Sequence, residues 1–77
     1  MTKKHFCVVA DLNTHKVVKV LEGPIEYESL FKKRRALIKQ YPDQNYDVII
    51  VREINYKRLK FVFPELYGWE NITPKPF

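Results

Sequence analysis

The chain has 77 residues, of which 45% are hydrophobic and 30% are charged, and 14 basic side chains against 9 acidic ones give a formal net charge of +5. This is the composition of a folded domain rather than of a disordered segment, and a chain of this length can bury only about 60% of its unfolded surface. Its two glycines exclude a glycine-rich phosphate loop. The positive charge favours anionic partners, so nucleic acid and an acidic protein are both candidates.

Cysteine usage and the apolar runs predict the compartment. The single cysteine, Cys7, cannot form an intramolecular disulfide, whereas small secreted domains usually have several. Asp11 interrupts the N-terminal apolar run before a signal-peptide core is complete, and the longest apolar run, residues 48–51, is far too short to span a bilayer. We therefore expect a cytoplasmic protein with no membrane partner.

Two β-favouring segments open the chain. Residues 5–12 alternate apolar side chains on two sides, residues 13–15 supply turn-forming Asn and Thr, and residues 16–22 resume the β pattern. Together they predict a β-hairpin.

A helix is predicted after the Gly-Pro pair at 23–24, because proline suits the first turn of a helix. Pro42 biases the residue before it away from helical angles, so we expect the helix to end near Gln40. One face should pack on the sheet, and it carries Tyr27, Leu30, Phe31, Leu37, Ile38 and Tyr41. Arg34 falls in the middle of this face, where its stem can lie along the core while its guanidinium reaches water, a carboxylate or a phosphate.

The second half of the chain predicts two more strands. Residues 46–54 form a continuous β-branched run, which is typical of a central strand buried on both faces. Residues 58–63 alternate apolar and basic side chains and predict a fourth strand. The aromatic tail, residues 64–77, has room for one helical turn at 64–69.

The predicted fold is a single α+β domain over residues 1–77, in the order β-β-α-β-β, with residues 1–4 and 70–77 as its more flexible ends. A right-handed crossover places strand 3 beside strand 1, which gives a four-stranded antiparallel sheet in the order 2-1-3-4 with one helix on one face. The second face then needs a cover. The candidates are the aromatic tail, a second copy of the chain or a foreign protein.

A run of basic residues lies in the predicted helix. Lys32, Arg35 and Lys39 are spaced i, i+3, i+7 and form one outward stripe, whereas Lys33 points to another flank. Such a stripe is either a solvated helix face or a contact for phosphate or an acidic partner.

A second basic segment is interleaved with aromatic residues. In residues 56–63, Tyr56 accompanies Lys57, Arg58 and Lys60, and pairings of this kind hold single-stranded nucleic acid by stacking and charge. The competing interpretation is plain strand alternation, in which basic residues protect a sheet edge from aggregation.

The sequence offers no grouping of residues for catalysis. His5 and His15 have no Cys or His at metal-ligand spacing, and Ser29 has no base and orienter beside it. Mid-strand, Cys7 is expected to be a small buried hydrophobe. We expect a non-enzymatic protein with no metal, no cofactor and no small-molecule substrate.

Two functional hypotheses follow. The first is a regulatory protein that contacts nucleic acid, with RNA or single strands preferred, through Lys32, Arg35, Lys39, Tyr56, Lys57, Arg58 and Lys60. The alternative is a protein-binding modulator or inhibitor, with a homodimer as one form of it. Its surface would be an exposed sheet face, a strand edge or the region of Trp69, with Arg58, Tyr67 and Trp69 as contact residues.

Overall fold

The computed structural model describes residues 3–77 and has a small α+β fold with two helices and a four-stranded mixed sheet. The elements, in chain order, are β1 (Lys4–Asp11), β2 (Lys16–Gly23), α1 (Tyr27–Gln40), β3 (Tyr46–Glu53), α2 (Tyr56–Val62), a 3₁₀ turn (Trp69–Asn71) and β4 (Lys75–Pro76). The predicted α+β class, first hairpin and helix end at Gln40 are confirmed.

The sheet has the order β3-β1-β2-β4. β1 pairs antiparallel with both β2 and β3, so the predicted neighbourhood of strands 1, 2 and 3 is confirmed. The most deeply buried strand is β1 rather than β3, because its residues from Phe6 to Ala10 are all fully buried. β3 lies at the edge of the sheet, so its predicted central position is wrong.

The predicted fourth strand at 58–63 is wrong, because this segment belongs to helix α2. Asn55 caps the helix: its side-chain oxygen accepts a hydrogen bond from the backbone N–H of Arg58 at 2.8 Å. The apolar residues of this segment fit a helix as well as a strand. Spacings of three and four residues place Tyr56, Leu59 and Phe63 on one side of a helix.

The fourth strand instead lies in the tail. β4 pairs parallel with β2, with Leu21 opposite Lys75 and Glu22 opposite Pro76. The all-antiparallel sheet and the predicted strand order are therefore only partly correct. The helical turn expected at 64–69 occurs a few residues later, at the 3₁₀ turn.

Apolar clusters lie on both faces of the sheet. On one face α1 packs over a cluster comprising Cys7, Val9, Leu30, Leu37 and Val48. On the other face α2 and the tail cover a cluster comprising Phe6, Val8, Ala10, Val17, Val20, Leu59, Leu66 and Trp69. The second face is thus covered by the chain itself: the tail, which was one of the three candidates, covers it together with helix α2.

Only part of the predicted apolar face of α1 packs on the sheet. Leu30 and Leu37 are buried, but Tyr27, Phe31 and Ile38 are 66%, 42% and 41% exposed. The helix contacts the sheet through the row of side chains that contains Leu30 and Leu37. The adjacent row, with the three exposed residues, lies outside this contact. The expectation that all these residues pack on the sheet is wrong for the three exposed ones.

Candidate interaction surfaces

The first surface is the side of α1 turned away from the sheet. Lys32, Arg35 and Lys39 are all exposed there. At about 100° per residue they lie roughly 150–170° around the axis from Leu30 and Leu37, and they span about 10 Å along it. We call these three residues the cationic stripe.

The aromatic member of the second predicted cluster is already engaged. The Tyr56 hydroxyl donates to the backbone oxygens of Trp69 at 2.8 Å and Ile72 at 3.2 Å, and the Lys60 amine lies 5.5 Å from the centre of the Tyr56 ring. Burial raises the pKa of Tyr56, and the charges of Glu70 and Glu22 raise it further, so the phenol remains a donor at neutral pH. This tyrosine supports the tail.

The two predicted basic clusters lie on opposite faces of the sheet. α1 packs with Cys7 and Val9, whereas α2 packs with Phe6 and Val8, and successive residues of a strand face opposite sides. Lys57 and Arg58 are exposed and Lys60 is half-buried on the α2 side. The sheet therefore separates the cationic stripe from these three residues.

The residues predicted for protein binding have different environments. Trp69 is 5% exposed, and its ring packs edge-on against Tyr56 at 5.8 Å and parallel to Phe63 at 6.4 Å. Tyr67 has an exposed side chain while its backbone bridges to β2, and Arg58 is exposed on α2. Trp69 is a core residue and offers no exposed ring to a partner.

Sequence reasoning missed an exposed aromatic surface on α1. Tyr27 and Phe31 pack edge to face with ring centres 4.9 Å apart, and His5 lies 6.4 Å from Tyr27. Ile38 continues the same line, and we call Tyr27, Phe31 and Ile38 the apolar stripe. The half-buried Arg34 lies between this stripe and the buried leucines. The periodicity identified these positions, but it assigned them to the core because it cannot give the width of the sheet beneath.

The outer edge of β3 is a further candidate surface. β3 is eight residues long and, in the structure of residues 3–77, pairs with β1 alone. Val48 and Ile50 face α1, Ile49 and Val51 face α2, and these four residues carry no charge and no proline. Natural proteins usually protect such an edge with charge, proline or a covering segment. An edge of this length and composition is suited to pairing with another strand.

An open cavity of about 380 Å³ lies between β2 and the tail. It forms where the tail leaves β2 between the bridge at Tyr67 and the start of β4. Its lining comprises Val18, Lys19, Val20, Tyr41, Asn71, Ile72, Thr73 and Lys75. This lining includes two lysines, a tyrosine and a threonine, but no carboxylate, thiol or imidazole.

Cys7 lies in the core beneath α1. Its burial raises the pKa of the thiol, and the positive charge of Arg34 offsets this only in part. A buried thiol of this kind is protonated and unreactive at neutral pH. Within residues 3–77 no group of three or more His, Cys, Asp or Glu residues is arranged to hold a metal ion.

Comparison of the chain with protein-family models, with curated proteins and with solved structures finds no match. No helix in the described part of the chain is long and apolar enough to cross a membrane. The basis for a functional proposal is therefore the two α1 stripes and the β3 edge.

Proposed function

We propose that this chain is a small non-enzymatic binding protein that contacts nucleic acid, preferentially RNA or single strands, through the cationic stripe of α1. The observation that carries the proposal is the exposure of Lys32, Arg35 and Lys39 on one side of a single helix. The net charge of +5 adds long-range attraction for a polyanion.

The proposed contact depends on charge more than on base stacking. The hydroxyl of Tyr56 is held by the tail and its ring is half-buried, so this ring is not free to take the stacking role that the sequence predicts for it. Three phosphate contacts on a single strand correspond to a slope of log K against log salt of about −2. Binding should therefore show little sequence preference and should weaken steeply as salt is added.

A matched pair of charge reversals tests the location of the site. Lys32→Glu/Arg35→Glu changes the cationic stripe, and Lys57→Glu/Arg58→Glu makes the same charge change on the opposite face. Binding of a fluorescent 20-nucleotide oligouridine, followed by anisotropy at 25 to 300 mM NaCl, should weaken at least tenfold for the α1 pair and much less for the α2 pair. Equal losses would indicate only a net-charge effect, and absence of binding by the unmodified chain at the lowest salt would refute the proposal.

A protein-binding modulator is the second candidate, and the exposed apolar stripe beside the open β3 edge supports it. Aromatic side chains of this kind often anchor protein interfaces. Capture of partners from a nuclease-treated lysate separates the two functions, because a partner that depends on nucleic acid disappears after the treatment. Retention of a partner that is lost on Phe31→Glu would favour the second candidate.

A further inference from the structure

We propose that two copies of this chain associate through the outer edge of β3, so that their sheets join and their apolar stripes meet above the joint. Within residues 3–77 the edge offers a row of unpaired backbone groups along a strand of eight residues, and the central four of these are apolar. The apolar stripe supplies a second surface on the same side of the molecule. This association is independent of nucleic-acid binding.

Symmetry restricts the register of such a pair. Two antiparallel strands related by a two-fold axis perpendicular to the sheet keep their α1 helices on the same face, and opposite residues must then share a face. With the axis at Ile49, Val48 lies opposite Ile50 of the second copy and no like charges are opposed. With the axis at Ile50, Asp47 lies opposite Glu53 of the second copy, which is destabilising. Of these two central registers, the charges therefore favour the one at Ile49.

The selected register also brings together a favourable polar pair. Arg52 lies opposite Tyr46 of the second copy, and symmetry repeats the contact at the other end of the joint. Tyr46 already packs against Tyr41, with ring centres 5.2 Å apart. A guanidinium beside such a ring pair is favourable.

The chain connectivity directs the apolar stripe toward this joint. α1 links β2 to β3 across β1, and connections of this kind are right-handed in about 98% of cases. Leu30 and Leu37 mark the side of α1 that faces the sheet. In a right-handed crossover, residues turned roughly 70–110° from that side about the helix axis, in the direction in which the helix winds, point toward β3. Tyr27, Phe31 and Ile38 occupy these angles.

The spacing of the helices suits the size of these side chains. α1 packs over β1 and β3, and strands are about 4.8 Å apart, so the two α1 axes would be roughly 10–14 Å apart. Helices in direct contact are about 8–10 Å apart, so the remaining gap needs large side chains. The aromatic rings of the apolar stripe can fill it from both sides.

The footprint predicts a weak dimer. It consists of a strand about 27 Å long beneath a helical stripe about 17 Å long, which is small for a specific interface. We expect a dissociation constant on the order of 10–100 μM. Each copy has a net charge of +5, so added salt should strengthen the association by screening repulsion. An acidic partner on the same edge would show the opposite salt dependence.

Sedimentation equilibrium of the full chain from 1 to 500 μM, without nucleic acid and at 0.1 and 0.5 M NaCl, tests the proposal. The mass should rise with concentration from 9.3 kDa toward twice that value, and more readily at high salt. Phe31→Glu should abolish this rise in mass. The matched control Phe61→Glu, which changes an exposed position on α2, should leave the rise in place. A monomer throughout, equal effects of the two variants or dissociation by salt would overturn the proposal, provided that circular dichroism shows both variants folded.

Cross-linking tests the register separately. In a Cys7→Ala background, Ile49→Cys places two thiols opposite each other across the axis, whereas Ile50→Cys does so only in the neighbouring register. Mild oxidation at 200 μM should cross-link the first variant at least fivefold more than the second. Preferential cross-linking of the second variant, or no cross-linking of either, would refute the register centred on Ile49.

Discussion

Removal of the Asn55 side chain tests the helix that replaces the expected fourth strand. Asn55→Ala deletes the acceptor that receives the Arg58 N–H at 2.8 Å, and loss of such a cap typically costs about 1 kcal/mol. A domain of 77 residues has a total stability of roughly 4–11 kcal/mol, so this loss is measurable. It should lower the melting temperature by about 4–8 °C.

The buried Trp69 is the single tryptophan and provides the fluorescence signal for urea unfolding. Asn55→Asp should retain most of the stability, because aspartate also accepts from the helix N-terminus and suits its positive dipole. Asn45→Ala is the matched control at an exposed loop position. If Asn55→Ala and Asn45→Ala changed the unfolding free energy equally, the capping argument would be refuted.

Three further predictions concern the same fold. Leu59→Ala should cost about 2–5 kcal/mol in urea unfolding, whereas Phe61→Ala, at a position 72% exposed, should stay within about 0.5 kcal/mol; similar large losses would instead support strand alternation. Tyr56→Phe should cost about 1–2 kcal/mol by removing the donor shared by two tail carbonyls, and an unchanged midpoint would argue against these bonds. Since the folded pKa of Cys7 is raised, the unfolded chain loses this proton first, and stability should decline as pH rises above about 8.5; the decline should be smaller in Cys7→Ala, and an identical profile would exclude this origin.

The parts of the fold that were predictable are those with a local cause. Pro42 ends α1 because it restricts the residue before it, and the alternation in residues 5–12 and 16–22 produces the first hairpin. The position of β3 beside β1 follows from the crossover rule. In each case the decisive information lies within a few residues or in a general rule of chain connection.

The errors arise where tertiary contacts decide. The segment 56–63 fits either a strand or a helix, and the Asn55 cap together with packing of Leu59 favours the helix. β4 has only two residues, one of them Pro76, which is too short for an alternating sequence pattern to predict a strand. Its pairing depends on the path of the tail. The exposure of Phe31 was likewise unpredictable from periodicity, since that exposure depends on where the sheet lies beneath the helix.

The position of the cationic stripe, as an exposed line on α1, was predicted correctly. Regular helical spacing was enough to place Lys32, Arg35 and Lys39 together. The same reasoning could not show that Tyr56 is engaged by the tail, because its hydrogen-bond acceptors lie 13 and 16 residues further along the chain.

The path of the tail limits how far this protein can assemble. Leu66 and Trp69 pack on one face of the sheet, whereas Phe77 packs with the cluster on the other, so the tail wraps around the β2 side and pairs with it through β4. The tail therefore covers the two ends of the β2 edge, whereas the outer edge of β3 is unpaired along its whole length within residues 3–77, and the proposed joining through β3 would use that long edge. A filament needs two usable edges per molecule, and the opposite edge offers only the two residues of β4, one of them Pro76, so the proposed assembly is expected to stop at a closed pair.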